Sequence, residues 1–521
     1  MPDRWRVLVT LAVAVVLAGL WLAAPPMGTD LSAQVARADF FAGYGWAPVD
    51  FRWYGGVLPH GYSLLTPPLM AWTGPRPVGA AAAVGSALAL LVLLHRTGAR
   101  RPLLGAVLGA VAFTGNLVSG RVTFAVGVAL GLLAVTVLTA GLAGRGRAGW
   151  LAGVGGLAAL AAAASPVAGL FTGLAGTALL IGAGPRHRAG GLALAVGAAV
   201  PIAVMAGLFG SGGWMNISRT DTVHAAVASL AVALLVPHRV VRTGALLSAA
   251  GVVAAYLVHT PVGLNATRLA TLFALPVVAA YAVLPRWPQH WPAAGWLLPA
   301  LALLAWWQPP VLTEDLAGRG DPTAQPAYFA PLDAALAARD PAGRVEVVPT
   351  AYYWESAYLD VPLARGWLRQ ADLGRNPLFF DGTLDAGSYR RWLADTGVSH
   401  VALAEAEVSW VGRAEAELIR AGLPYLTPVW QSPDWTLYEV AGGPGIAGPP
   451  GALVAAEPDR VVVAADRPGE LLVRVRWSRW LAVTGPAGAC LAPAGQWTEL
   501  RVDAPGEYQI SGSLATSGPR C

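Results

Sequence analysis

Residues 26–72 read PMGTDLSAQVARADFFAGYGWAPVDFRWYGGVLPHGYSLLTPPLMAW. This stretch is polar, rich in aromatic rings and carries three aspartates, Asp30, Asp39 and Asp50. It follows an apolar run over 6–24 and precedes a nearly unbroken apolar region extending to about residue 308. A long polar segment between apolar spans is a loop at a membrane surface, and its carboxylates are the first candidates for chemistry.

Composition supports that setting. Of 521 residues, 55% are hydrophobic and 12% charged, with mean hydropathy +0.53. Soluble domains carry about 25% charged residues, so a single soluble globule is excluded. A spanning helix needs about 20 predominantly apolar residues. Candidate spans run over 6–24, 78–95, 103–118, 122–143, 149–164, 167–183, 190–209, 223–237, 244–258, 269–285 and 294–308. About eleven transmembrane helices are therefore expected. The first could instead be a cleaved signal segment, but no small-x-small site follows it.

The basic residues are all arginine, and they are periodic. Arg4/Arg6, Arg96/Arg100/Arg101, Arg145/Arg147, Arg186/Arg188, Arg239/Arg242 and Arg286 fall at every second loop. Positive charge marks cytoplasmic loops. The N-terminus is thus expected inside and the 26–77 loop outside. An odd number of spans places everything after about 310 outside as well. The net charge of +5 is then a sign of membrane orientation and not of nucleic-acid binding.

Some arginines run against this bias. Arg121, in Asn116-Leu-Val-Ser-Gly-Arg121, and Arg268, in His259-Thr-Pro-Val-Gly-Leu-Asn-Ala-Thr-Arg268, fall at the outer boundary. A guanidinium fork there can clamp a phosphate, or it can snorkel to headgroups or pair with loop carboxylates. His259 and Asn265 share the second of these loops, and 210–222 adds Trp214, Asn216, Arg219 and Asp221.

Within the opening loop, Leu31, Val35, Ala38 and Phe41 form one apolar face of a helix expected to lie along the membrane surface. Asp30 sits where such a helix would be capped. The same position places a carboxylate at the water–lipid boundary, where a general base for a lipid-linked substrate belongs. Trp53, Tyr54, His60 and Tyr62 follow; aromatic rings stack on sugar faces and also anchor membrane interfaces. Asp39, Trp53, Tyr54, His60, Tyr62, Arg121, His259, Asn265 and Arg268 are therefore the candidate substrate-binding residues.

A first span, an acidic residue opening an outer loop, an amphipathic helix and then Gly61-Tyr62-x-x-x-x-x-Pro68-Leu69 resemble the first loop of GT-C glycosyltransferases. Protein O-mannosyltransferases, lipid A aminoarabinose transferases and actinobacterial mannosyl- and arabinosyltransferases are of this type. The resemblance implies a polyprenyl-phosphate-linked sugar as donor, a cell-envelope glycan or glycolipid as acceptor, and a loop carboxylate as catalytic base, here Asp30. Members carry an acidic pair where this chain has Asp30-Leu31, and Asp39 or Asp50 stand as alternatives. The whole chain also resembles a group of actinobacterial integral membrane proteins, through Arg365-Gly-Trp-x-Arg-Gln and Asn376-Pro-Leu-Phe-Phe-Asp-Gly-Thr. The expected location is the bacterial plasma membrane. A secondary transporter or a non-catalytic carbohydrate-binding scaffold is the alternative, although ionisable residues and repeats are sparse inside the spans. No residue spacing defines a metal site, and participation of a divalent cation is left open.

From about 310 the composition turns soluble. The expected organisation is a membrane domain over 1–309, with 26–77 as its first outer loop, an extracytoplasmic α/β domain over 310–441 and a β-sandwich over 452–521. Strands are expected at Val345–Val348, His400–Leu403 and Trp435–Val440, and helices at Ser388–Thr396 and Arg413–Ala421. Trp354, Glu355, Arg365, Trp367, Arg369, Asn376 and Asp381 lie in or near expected loops, as a carbohydrate site or as structural residues. The two cysteines, Cys490 and Cys521, pair as a disulfide outside the cytoplasm or stay as thiols.

Overall fold

The computed structural model describes residues 2–141, 146–210, 212–283, 297–515 and 520–521. Arg145, Arg286 and the ends of three expected spans lie outside the described residues, as does the side chain of Arg186. The chain divides into two compact units, the first comprising 1–34, 61–210 and 214–319, the second 35–60, 211–213 and 320–521.

The first unit is helical. Its long helices are α1 (Arg4–Ala23), α4 (Pro75–Arg96), α5 (Pro102–Val118), α6 (Val122–Leu138), α7 (Arg147–Ala164), α8 (Pro166–Gly182), α9 (Arg188–Phe209), α10 (Arg219–Leu235), α11 (Arg239–Leu257), α12 (Arg268–Tyr281) and α13 (Leu297–Trp307). The amphipathic α2 (Leu31–Tyr44), the short α3 (Thr66–Thr73) and α14 (Thr313–Ala317) complete it; α2 continues into the second unit. A helix stands on each expected span. Six stretches, α1, α4, α7, α9, α11 and Gly263–Tyr281, are long and apolar enough to cross a membrane, and α5, α6, α8 and α13 are shorter apolar helices. The protein is a multi-pass membrane protein.

Small residues set the packing. Ala158, Ala161 and Ala162 of α7 are fully buried, as are Leu194 and Ala198 of α9. With little hydrophobic drive between helices in lipid, close van der Waals approach of small residues holds such a bundle. The large exposed residues of α9 are instead Leu and Val, among them Leu192, Val196, Val200 and Val204. Such a face is solvated by hydrocarbon.

The second unit contains two β-structures. In the first, β1 (Arg344–Val347) pairs in parallel with β2 (Val398–Ala404), and β4 (Trp435–Val440) and β3 (Leu426–Gln431) continue antiparallel in the order β1-β2-β4-β3. Helices α15 (Pro326–Ala337), α16 (Glu355–Tyr358), α17 (Arg369–Arg375), α18 (Ala386–Thr396) and α19 (Arg413–Arg420) accompany this sheet. β1 and β2 are buried along nearly their whole length, as in a sheet covered on both faces. β3 carries no clear strand pattern in the sequence, because its register shifts between Pro428 and Trp430.

The second β-structure has a sheet β7-β10-β9 (Gly469–Val473, Trp497–Val502, Cys490–Ala494) and a sheet β5-β6-β11-β8 (Gly451–Glu457, Arg460–Ala465, Gly506–Gly512, Leu481–Thr484). Val461, Val463, Leu471, Val473, Leu500, Tyr508 and Ile510 point into one core, since every second residue of a strand faces inward. Val49 and Phe51 of the opening loop complete that core. Cys490 and Cys521 form a disulfide with Cα atoms 5.2 Å apart.

Candidate active site

Asp30 is the last residue before α2, and two glycines decide where it stands. Gly28 has φ +92° and packs so closely on the turn after α5 that a Cβ would strike the Val118 carbonyl. Gly120 has φ +75°, and a Cβ there would strike the Leu31 backbone. Only glycine adopts such backbone angles freely while leaving room for a second chain. The loop therefore seats on the α5–α6 turn, and the Asp30 N–H donates to the Ser119 carbonyl at 3.1 Å.

That seat brings Asp30 to Arg121. Asp30 Oδ2 lies 3.5 Å from Arg121 Nε and accepts from Arg268 Nη2 at 3.4 Å. Arg121 is the residue before α6 and Arg268 opens α12 after a 3₁₀ turn over Gly263–Thr267. The side chains of Asp30, Arg121 and Arg268 are 12%, 17% and 14% exposed. The guanidinium of Arg268 also rests over the Phe124 ring, 5.2 Å from its centroid.

A belt of hydroxyls and amides supports the pair. Gln34, one turn into α2, donates to the Asp30 carbonyl and accepts from Thr123 Oγ1. Thr123 meets Thr66 at 3.0 Å, and Thr66 meets Ser63 at 2.7 Å. Asn116 donates to the Arg121 carbonyl at 3.2 Å. Each side chain in this chain is buried.

A second carboxylate joins the cluster, one the sequence did not single out. Asp315, in α14 and 4% exposed, accepts the Thr29 N–H at 3.1 Å through Oδ1. Tyr62, Asp30 and Asp315 all act electrostatically on Arg268. Nothing local marks Asp315, which lies in an ordinary acidic helix start, Thr313-Glu-Asp.

The cluster is chemically unlike the rest of the bundle. Removing an ion from water costs several kcal/mol even after relaxation. At about 3.5 Å and an effective dielectric near 20, one opposite charge returns roughly 4–5 kcal/mol. Two guanidiniums at a helix-bundle end are thus tolerable only where anions meet them. Each presents a planar fork suited to a phosphate or carboxylate.

The structure places the remaining sequence candidates elsewhere. His259 is exposed and packs tilted against Trp214, ring centroids 4.1 Å apart, while Asn265 is buried in the turn before Arg268. Asp39, Trp53, Tyr54 and His60 belong to the second unit. There Trp53 is buried and pairs in a short bridge with Leu363, and Tyr54 Oη donates to the Gly366 carbonyl at 2.5 Å. These two rings pack protein and present no face for a sugar. His60 Nε2 lies 3.2 Å from the Trp46 carbonyl, and burial pushes its pKa down. Asp39 is exposed. Asp50 is engaged by Arg52 at 2.7 Å.

Four of the loop candidates of the α/β region, Trp354, Glu355, Arg365 and Asn376, are buried, whereas Trp367 and Arg369 are half-buried and Asp381 is exposed. Arg365 is buried with Asp372 at 2.8 Å, Glu415 at 2.9 Å and Glu346 at 3.5 Å, and its guanidinium lies 3.8 Å from the Phe379 ring centroid. Asn376 donates to Asp372 and accepts from Trp392 Nε1, and Tyr389 donates to Glu415. Burial first, and then the charge of Glu415, push the Glu346 carboxyl well above its usual range. Trp354 and Glu355 are buried too. The Arg365 and Asn376 motifs are thus an internal polar network. Among the described residues no group of three or more His, Cys, Asp or Glu side chains could hold a metal ion.

No protein-family model and no curated protein matches the chain. Solved structures similar to it include the arabinofuranosyltransferase AftD from Mycobacteria, at TM-score 0.49 and 14% identity, over 99% of this chain and 58% of that one. ArnT from Cupriavidus metallidurans, bound to undecaprenyl phosphate, is similar at TM-score 0.44 and 12% identity, over 83% of this chain and 97% of that one. The present chain spans less than two thirds of the length of AftD.

Proposed function

We propose that the protein is a membrane glycosyltransferase that moves a sugar from a polyprenyl phosphate to a cell-envelope acceptor on the outer face of the membrane. The observation that supports this is the meeting of Asp30, Arg121 and Arg268 in one buried cluster at helix ends. Asp30 accepts the proton of an acceptor hydroxyl. The oxygen forms a bond to the anomeric carbon as the bond from that carbon to the phosphate oxygen breaks. Arg121 and Arg268 take the charge that gathers on the departing polyprenyl phosphate.

The arginine alternation supports the outer placement. Arg4, Arg147, Arg188 and Arg239 begin α1, α7, α9 and α11, and Arg96 ends α4. Asp30 follows the opposite end of α1. On this topology the second unit is extracytoplasmic and available to bind the acceptor.

The test is transfer from labelled polyprenyl-phosphate sugars by the purified protein in detergent, with and without Asp30→Asn. Transfer by wild type that the substitution abolishes is the expected result. Full activity in D30N removes Asp30 as the base. A wild-type protein inactive with every such donor removes the glycosyltransferase reading and leaves a scaffold or transporter.

A further inference from the structure

The turn that carries Asp30 is pinned by two hydrogen bonds from outside α2. The Asp30 N–H is held by Ser119, and the Thr29 N–H is held by Asp315. The first contact comes from the α5–α6 turn, close in the chain to Arg121. The second comes from α14, 286 positions from Thr29. Asp315 is the contact on this turn that comes from the far end of the first unit's sequence, and its loss frees the Thr29 side of the turn to shift the carboxylate relative to the guanidiniums.

Asp315 also matters as a charge. Asp30 and Asp315 act on Arg268 with the same sign, and Arg121 acts on it with the opposite one. Asp30 thus meets both guanidiniums directly, and Asp315 adds a second negative charge that acts on Arg268. A general base becomes neutral when it takes its proton, so Asp30 cannot remain a counter-ion throughout a reaction cycle. Asp315 is a carboxylate that acts on Arg268 before the donor phosphate arrives and after it leaves.

We propose that Asp315 is a positioning residue for the transfer reaction, fixing the Asp30 carboxylate through Thr29 and keeping the arginine pair compensated while Asp30 is protonated. The proposal rests on the glycosyltransferase reading above. It concerns a residue outside the opening loop.

The experiment compares Asp315→Asn and Asp315→Ala with wild type as full-length protein in lipid nanodiscs, assayed with polyprenyl-phosphate sugars. An Asn oxygen still accepts the Thr29 N–H, whereas Ala removes both contact and charge. D315A is expected to lose roughly 10- to 100-fold in kcat with donor KM changed less than about threefold, and D315N to recover part of that loss. A kcat in D315A within twofold of wild type overturns the proposal, as does a loss confined to donor KM. Should D315A fail to fold, a D315N kcat within twofold of wild type overturns the charge role, and a lowered one supports it. If wild type transfers nothing, the parent reading fails by itself. A side-chain-resolution structure of D315A or D315N then decides this one: Asp30 still 3.4–3.5 Å from both guanidiniums in D315A overturns it.

Discussion

Asp30 and Arg268 stand 238 positions apart in the chain, and their carboxylate and guanidinium meet at 3.4 Å. Arg121 reaches the same carboxylate oxygen at 3.5 Å. The arrangement gives one anion two cationic neighbours at a bundle end. It makes the aspartate and the arginines separable by substitution, because each partner predicts a different defect.

Asp30→Asn is expected to lower the transfer rate by about 10²- to 10⁴-fold, the usual contribution of a positioned base. Asn caps a helix about as well as Asp. A role limited to starting α2 therefore predicts nearly wild-type turnover, and initial rates in detergent discriminate the two.

Arg121→Gln and Arg268→Gln are expected to weaken polyprenyl phosphate binding. A hydrogen bond to a charged group contributes about 1.5–3 kcal/mol, so each loss corresponds to roughly 10- to 100-fold in Kd. Arg268→Lys should recover little, since an ammonium lacks the fork. Titration of purified protein with polyprenyl phosphate measures the effect, and unchanged affinity in both variants would separate the arginines from the donor.

Glu355 should make folding stability fall with rising pH. It is buried and accepts from Thr350 Oγ1 at 2.6 Å, and burial pushes its pKa from 4.5 to about 7 despite that bond. A raised folded-state value means that its contribution is complete below about pH 4.5 and is lost as pH climbs toward about 7. The loss is on the order of a few kcal/mol. Melting curves at pH 5 and pH 8 should diverge less in Glu355→Gln than in wild type.

Removing Arg365 should unfold much of the α/β region. Asp372, Glu415 and Glu346 all converge on it in the interior. Breaking a buried ion pair from one side costs about 3–5 kcal/mol, so Arg365→Met should lower the melting temperature of the protein markedly. Arg365→Lys should also be destabilising, because one ammonium cannot span three carboxylates. A melting temperature unchanged in both variants contradicts this account.

Reduction should weaken the β-sandwich. The Cys490–Cys521 bridge closes a separation of 31 residues, and chain entropy assigns such a loop about 3–4 kcal/mol. Cys490→Ser with Cys521→Ser, followed by limited proteolysis of the 452–521 region, should show earlier cleavage than wild type.

Much of this molecule was legible from local pattern. A membrane helix is a run of about 20 apolar residues, so each expected span found its helix. Trp435–Val440 and Ser388–Thr396 emerged within two residues of their expected bounds. Asp30, Arg121 and Arg268 were singled out because charge at a membrane boundary is costly enough to ask for a reason. Trp53 and Tyr54 show where local pattern stops: an aromatic ring in a polar loop has one composition whether it faces sugar or, as here, is buried beside Gly366.

The sequence by itself therefore determined the helical membrane protein with β-rich C-terminal regions, since hydropathy, strand alternation and arginine placement act over a few turns of chain. Only the tertiary structure decided that Asp315 holds Thr29, that Gly28 and Gly120 seat Asp30 against the α5–α6 turn, and that Val49 and Phe51 belong to the sandwich core. Those contacts join residues dozens to hundreds of positions apart. No periodicity announces them, because they are selected by backbone shape and by the cost of leaving buried charge unmatched.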